Sequence, residues 1–126
     1  MAKIVLGVIA VIYGINALIM WFAPVYWYET TPGVAMMGPF NLHFVRDIAL
    51  IYLLAAAAFA WSIKNNTPQV AITAAVWPCL HGLFPIQIWI ARGVPLDEIA
   101  LVNLIGIQFP AWAGLYFATQ LASSKE

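Results

Sequence analysis

Charge is what this chain lacks most. Its 126 residues include five Lys or Arg and five Asp or Glu, 8% of the whole, with zero formal net charge. A soluble domain carries about 25%. Without a basic excess there is no electrostatic footprint for nucleic acid and no polybasic patch for anionic headgroups. Cysteine is nearly absent as well. The single Cys79 excludes an internal disulfide and a CxxC redox pair, and with them the oxidoreductases that work through paired thiols. Histidine is limited to His43 and His81, and no HExxH, glycine-rich phosphate loop or GxSxG elbow occurs. The sequence therefore names no catalytic residue and calls for neither cofactor nor metal.

What is present is apolar surface. Hydrophobic residues make up 64% of the chain, and residues 4–23, 48–63, 70–91 and 99–121 contain no Asp, Glu, Lys or Arg. About 20 apolar residues are needed to cross the ~30 Å hydrocarbon core of a bilayer. Three of the stretches reach that length alone. The second has 16 residues and must borrow from its N-terminal flank, where Asn41 suits a helix N-cap. The expected fold is all-α: a four-helix transmembrane bundle, one domain over residues 1–126, with spans at about 4–23, 43–63, 69–91 and 98–121. An interfacial loop joins the first two spans. The apolar run after Lys3 has 20 residues, longer than the ~7–15 of a signal-peptide core, and reads as a retained first span.

The connections carry their own signals. Residues 24–41 form the long loop, with Tyr26, Trp27 and Tyr28 suited to the membrane boundary and Pro32-Gly33 and Gly38-Pro39 as turns. In the tight turn of residues 64–68, Asn66 or Thr67 is expected to cap the third span, with Pro68 in its first turn. Gly93 is the expected C-cap of that span. Four spans put both termini on one side with Lys3, Lys64, Lys125 and Glu126. Glu29, Arg46, Asp47, Arg92, Asp97 and Glu98 share the other. Three Lys against two Arg favours cytoplasmic termini in a bacterial inner membrane. Small residues at helical spacing, Ala10/Gly14, Ala71/Ala75 and Gly106/Pro110/Gly114, predict close helix contacts, within the chain or between copies.

The few polar residues inside the spans are the candidates for function. Starting the second helix at Asn41 brings His43, Arg46 and Asp47 into its first turns, with His43 and Asp47 on one face. Arg92 is a possible partner of Asp47. One reading is an ion-pair cluster fixing helix ends, and the other is the mouth of a binding site. Deeper, Asn16, Tyr52, Gln87 and Asn103 lie about 7–11 Å below the arginine-bearing ends at ~1.5 Å per residue, and His81 and Gln108 about 15–16 Å below, with Tyr13 nearby. These residues are expected to face inward, either as hydrogen-bonding glue or as a polar cavity. Pro78 and Pro85 flank His81 and deprive the Ala74 and His81 carbonyls of their helical partners. His43 and His81 differ in depth by more than ~10 Å, which excludes one haem held by both.

The segment Pro32-Gly33…Gly38-Pro39-Phe40-Asn41-Leu42-His43-Phe44-Val45-Arg46-Asp47, with the span count and chain length, resembles small bacterial four-span membrane proteins of the broad DoxX-like type. The resemblance implies a four-span fold and, in some members, quinone-linked or thiol-stress roles. It assigns no catalytic residue. Two function classes follow. One is a non-enzymatic accessory or structural subunit of a membrane complex or homo-oligomer. The other is a site that binds or transports a small molecule (quinone, lipid, proton or ion), lined by His81, Gln108, Asn103, Gln87, Asn16, His43, Arg46, Asp47 and Arg92. The lipid bilayer is the common partner of both.

Overall fold

The structure, a computed structural model, describes residues 1–123; Lys125 and Glu126, placed with the termini by the sequence, lie outside the described residues. The chain is all-α, with no strand among the described residues. Four helical spans are long and apolar enough to cross a membrane. The first is α1 (Ala2–Phe22), and the short α2 (Pro24–Thr30) follows at once. A single 3₁₀ turn, Ala35–Met37, breaks the long loop. The second and third spans are α3 (Leu42–Asn65) and α4 (Pro68–Ala91). The fourth is composite: α5 (Glu98–Asn103), a π-turn at Leu104–Gln108, and α6 (Phe109–Ser123).

Local chemistry sets these boundaries. Asn41 caps α3, its Oδ1 accepting from the Phe44 amide at 3.1 Å, so the short second span does gain its length from the polar flank. The turn after α3 is built differently from expectation. Asn66 adopts a left-handed conformation (φ 52°) and closes the C-terminus of α3. Thr67 is the N-cap of α4, but its side chain caps nothing and its Oγ1 is buried without a partner. Pro68 sits at the start of α4 as expected. At the end of α4 the amides of Gly93 and Val94 reach back to the Ile90 and Trp89 carbonyls. This is the Schellman arrangement, and the φ of +84° at Gly93 is the left-handed step it needs.

The spans form a closed ring in chain order. α1 packs on α3, α3 on α4, α4 on α6, and α6 returns to α1. Leu6, Ile9, Tyr13, Ala17 and Met20 turn the buried face of α1 toward Val45, Ala49, Tyr52, Ala56 and Phe59 of α3. The α4–α6 seam is made of small residues, Ala71, Ala75, Cys79 and Gly82 against Ala111 and Ala118. The backbones come close enough there for the Cys79 thiol to donate to the Ala111 carbonyl at 3.3 Å. Small residues at a helix seam let dispersion act over short backbone separations where lipid supplies no hydrophobic drive.

At most 33% of each span is buried inside the bundle. The rest of each surface is large and apolar, including Ile4, Val8, Ile15 and Leu18 on α1 and Val76, Leu80, Leu83 and Ile90 on α4. In water such contiguous patches would drive aggregation. Against acyl chains they cost nothing. The fold and its surface are those of an integral membrane protein.

Packing at Gly114 sets a testable limit. A Cβ there would stand 3.3 Å from the Phe59 ring and 3.8 Å from Ile9. Gly114→Val should destabilise the bundle by about 1–3 kcal/mol through overpacking, read as a lowered unfolding midpoint in detergent. An unchanged midpoint would show that α6 does not seat on Phe59.

Candidate functional site

One large cleft, about 730 Å³, lies between α1, α3, α4 and the α5–π-turn segment, on the arginine-bearing side of the bundle. It exists because the outer half of the fourth span leaves the ring. α6 packs on α1 and α4, whereas α5 packs on the π-turn that follows it. The residue 24–41 loop roofs the opening. Gly33 is wedged onto α5, where a Cβ would come within 2.8 Å of Ile99, and its φ of +87° also requires glycine. The Trp27 indole donates to Asn16 Oδ1 at 3.0 Å, tying the roof to α1. The Tyr28 hydroxyl donates to the Gly38 carbonyl at 2.6 Å.

The expected polar layer divides into two parts with different roles. Gln108 is buried and fully engaged. Its Nε2 donates to the Gly82 carbonyl at 2.7 Å and to Asn103 Oδ1 at 3.0 Å, and its Oε1 accepts from the Trp112 indole at 3.0 Å. It does not line the cleft and it does not bond His81. Its work is structural. The Gln108 amide donates to the Gly82 carbonyl from across the seam and so ties the fourth span to α4, next to the His81 carbonyl whose helical partner Pro85 removes. The π-turn makes this geometry. Residues five apart stand about 140° apart around an α-helix, but the wider π-turn brings Asn103 and Gln108 onto one face. Depth arithmetic for a regular helix had put them in separate layers.

The other part opens into the cleft. Asn16, His81, Asn103 and Arg92 all line it. His81 is half-buried on the floor, stacked on Trp77 with ring centroids 4.8 Å apart and 10° between planes. Tyr52 stands edge-on to His81 at 6.4 Å and tilts against Tyr13 at 5.2 Å. Tyr13 is 2% and Tyr52 8% exposed, and both face the same cleft. Among the described residues no hydrogen bond engages either hydroxyl or either imidazole nitrogen of His81. Three polar groups thus converge, unsatisfied, on an aromatic floor below the membrane surface. The sequence had marked Tyr13 and Tyr52 only by depth and had not marked Trp77. Its signal was the four-residue spacing to His81, which stacks two rings on one helix face.

Four expected site residues stand elsewhere. Gln87 is exposed on the outward face of α4 and does not face inward. His43 and Asp47 form an exposed local pair at 3.5 Å on α3, outside the cleft. Arg46 joins no ion pair among the described residues; its guanidinium lies over the Trp21 ring at 5.2 Å. Arg92 pairs with Asp97 rather than Asp47. The expected cluster linking three helix ends resolves into two short-range pairs, His43–Asp47 and Arg92–Asp97, and leaves Arg46 against an aromatic ring. Asp97 is also the N-cap of α5, accepting from the Ala100 amide at 2.9 Å. The hydrogen bond from Arg92, then that amide, hold its carboxyl below the usual aspartate range. In comparisons with known proteins, no family model, no curated protein and no solved structure matches this chain.

Two outcomes follow from this geometry. Gln108→Leu strips a buried donor from Gly82 and an acceptor from Trp112, and should cost about 1–2 kcal/mol in detergent unfolding; no change would mean that the bridge is dispensable. The depressed Asp97 carboxyl stabilises the α4–α5 connection when ionised, and that contribution is lost as pH falls through its folded value, beneath 3.8. Carboxyl ¹³C titration should find a midpoint below 3.8 that moves up in Arg92→Gln. A midpoint insensitive to Arg92 would contradict the pairing.

Proposed function

We propose that this protein is a membrane-embedded binding protein for a neutral lipophilic small molecule whose head is flat and forms hydrogen bonds. One observation carries the reading: Tyr13, Tyr52 and His81 offer unpartnered polar groups on the aromatic floor of a mostly apolar cleft. The volume, about 730 Å³, lies in the range of small-molecule sites, which pair apolar walls with a few placed polar groups. Charge accounting selects a neutral head. Among the described residues lining the cleft, Arg92 alone is charged, and Asp97 already neutralises it. A charged head at this depth would find no counter-charge, and burying an unpaired charge is costly. Rings favour a flat head because edge-to-face and offset contacts with the Tyr13 and Tyr52 rings, which line the cleft, are worth about 0.5–1.5 kcal/mol each.

The accessory-subunit reading keeps one observation of its own. Gln87 shares the lipid-facing side of α4 with Val76, Leu80, Leu83 and Ile90, and a polar side chain among acyl chains seeks a partner. Contact with a second copy or a larger complex along α4 would satisfy it. The Lys and Arg distribution supports cytoplasmic termini in a bacterial inner membrane. Kinship with the DoxX-like proteins remains a proposal carried by the loop-to-helix segment.

Dodecylphenol is a suitable neutral probe. The protein in lipid nanodiscs should retain it above empty discs, and Tyr13→Phe and His81→Leu should each weaken binding by about tenfold, the value of one hydrogen bond near 1.4 kcal/mol. Dodecylammonium should bind more weakly than the phenol. Equal affinity in wild type and both variants would sink the proposal.

A further inference from the structure

Gly106 is a small residue that packing does not require. Gly114 in the same series presses on Phe59, but a Cβ built on Gly106 meets nothing within 4 Å. Gly106 is exposed, lies in the π-turn and lines the cleft. Ile12 of α1 lines the same cleft and is 42% exposed. At ~1.5 Å per residue Ile12 lies about 15 Å below the outer end of α1 and Gly106 about 12 Å below the start of α5, so both stand at hydrocarbon depth. The water-facing end is roofed instead, by Gly33 against Ile99 and Trp27 against Asn16.

From these positions we propose that the gap between α1 and the π-turn is a lateral portal, with Gly106 as its lip. The ligand enters from the bilayer rather than from water. Its class is correspondingly narrowed to a lipophile with an alkyl tail: the head reaches Tyr13, Tyr52 and His81, and the tail passes Gly106 into the surrounding acyl chains. The missing side chain at Gly106 sets how thick a tail can pass. The inference rests on the binding reading above and adds to it the route and the tail.

The test measures the rate at which tritiated dodecylphenol, delivered from donor vesicles, loads into the protein in nanodiscs. Gly106→Phe narrows the portal and should slow loading by about tenfold, on the scale of rate loss imposed by a barrier to entry. Ile12→Ala widens it from the α1 wall, with no bulk added to the bundle, and should speed loading. If Gly106→Phe does not fold, Ile12→Ala decides alone. Loading of folded variants at the wild-type rate overturns the portal and leaves the binding reading standing. A wild-type protein that retains no more probe than empty discs overturns both.

Discussion

In hydrocarbon every backbone polar group must find its partner inside the protein, and the rest of this structure follows from that constraint. The chain meets it with helices nearly throughout. Its difficulty is concentrated in α4 and the fourth span, where Pro78, Pro85 and Pro110 remove amide donors at membrane depth. The Gln108 side chain does not reach the carbonyl that Pro85 strips; it bonds the neighbouring Gly82 carbonyl from the opposite helix and ties the fourth span to α4 beside the proline. A polar side chain in hydrocarbon seeks partners, which fixes the Gln108 amide inward, and Gly82 is small enough to let it approach. A Cβ at Gly82 would stand 3.2 Å from Gln108 Oε1.

The cleft is a consequence of the same bridge. A π-turn holds Gln108 and Asn103 on one face, and beyond it α5 makes few contacts with the helices on which α6 packs. The space so opened is bordered by α1 and α4 and covered by the long loop. Polar residues near it divide by whether the protein satisfies them. Gln108 is consumed by structure. Tyr13, Tyr52 and His81 are oriented by ring contacts alone and keep their hydrogen-bonding capacity for something else. That division, and not polarity by itself, distinguishes the site from its scaffold.

Much of the fold was legible before any coordinates, and the reasons are local. Span lengths, the Asn41 cap, Pro68 at the start of α4 and Gly93 at its end depend on neighbours a few residues away. Asn66 shows the limit of local reading, since a residue fit to cap the next helix serves here to close the previous one. At the site, His81, Asn16 and Asn103 stand out in the sequence as polar residues that interrupt apolar runs, whereas Arg92 entered only as the expected partner of Asp47. Gln87 interrupts one equally well and points outward. Polarity at a given depth carries no information about rotation around the helix axis.

The sequence alone determined the solvent. Uncharged runs of this length have no stable place in water, and helices are what single segments form in lipid, so four spans and their ends follow from composition and order. Tertiary structure decided which side chains meet. A π-turn adds one residue to a turn without changing the apolar pattern, yet it rotates every side chain on one side of it relative to the other. The partners of Gln108, the departure of α5 and the opening at Gly106 all rest on that rotation, which becomes visible only when the helices are packed together.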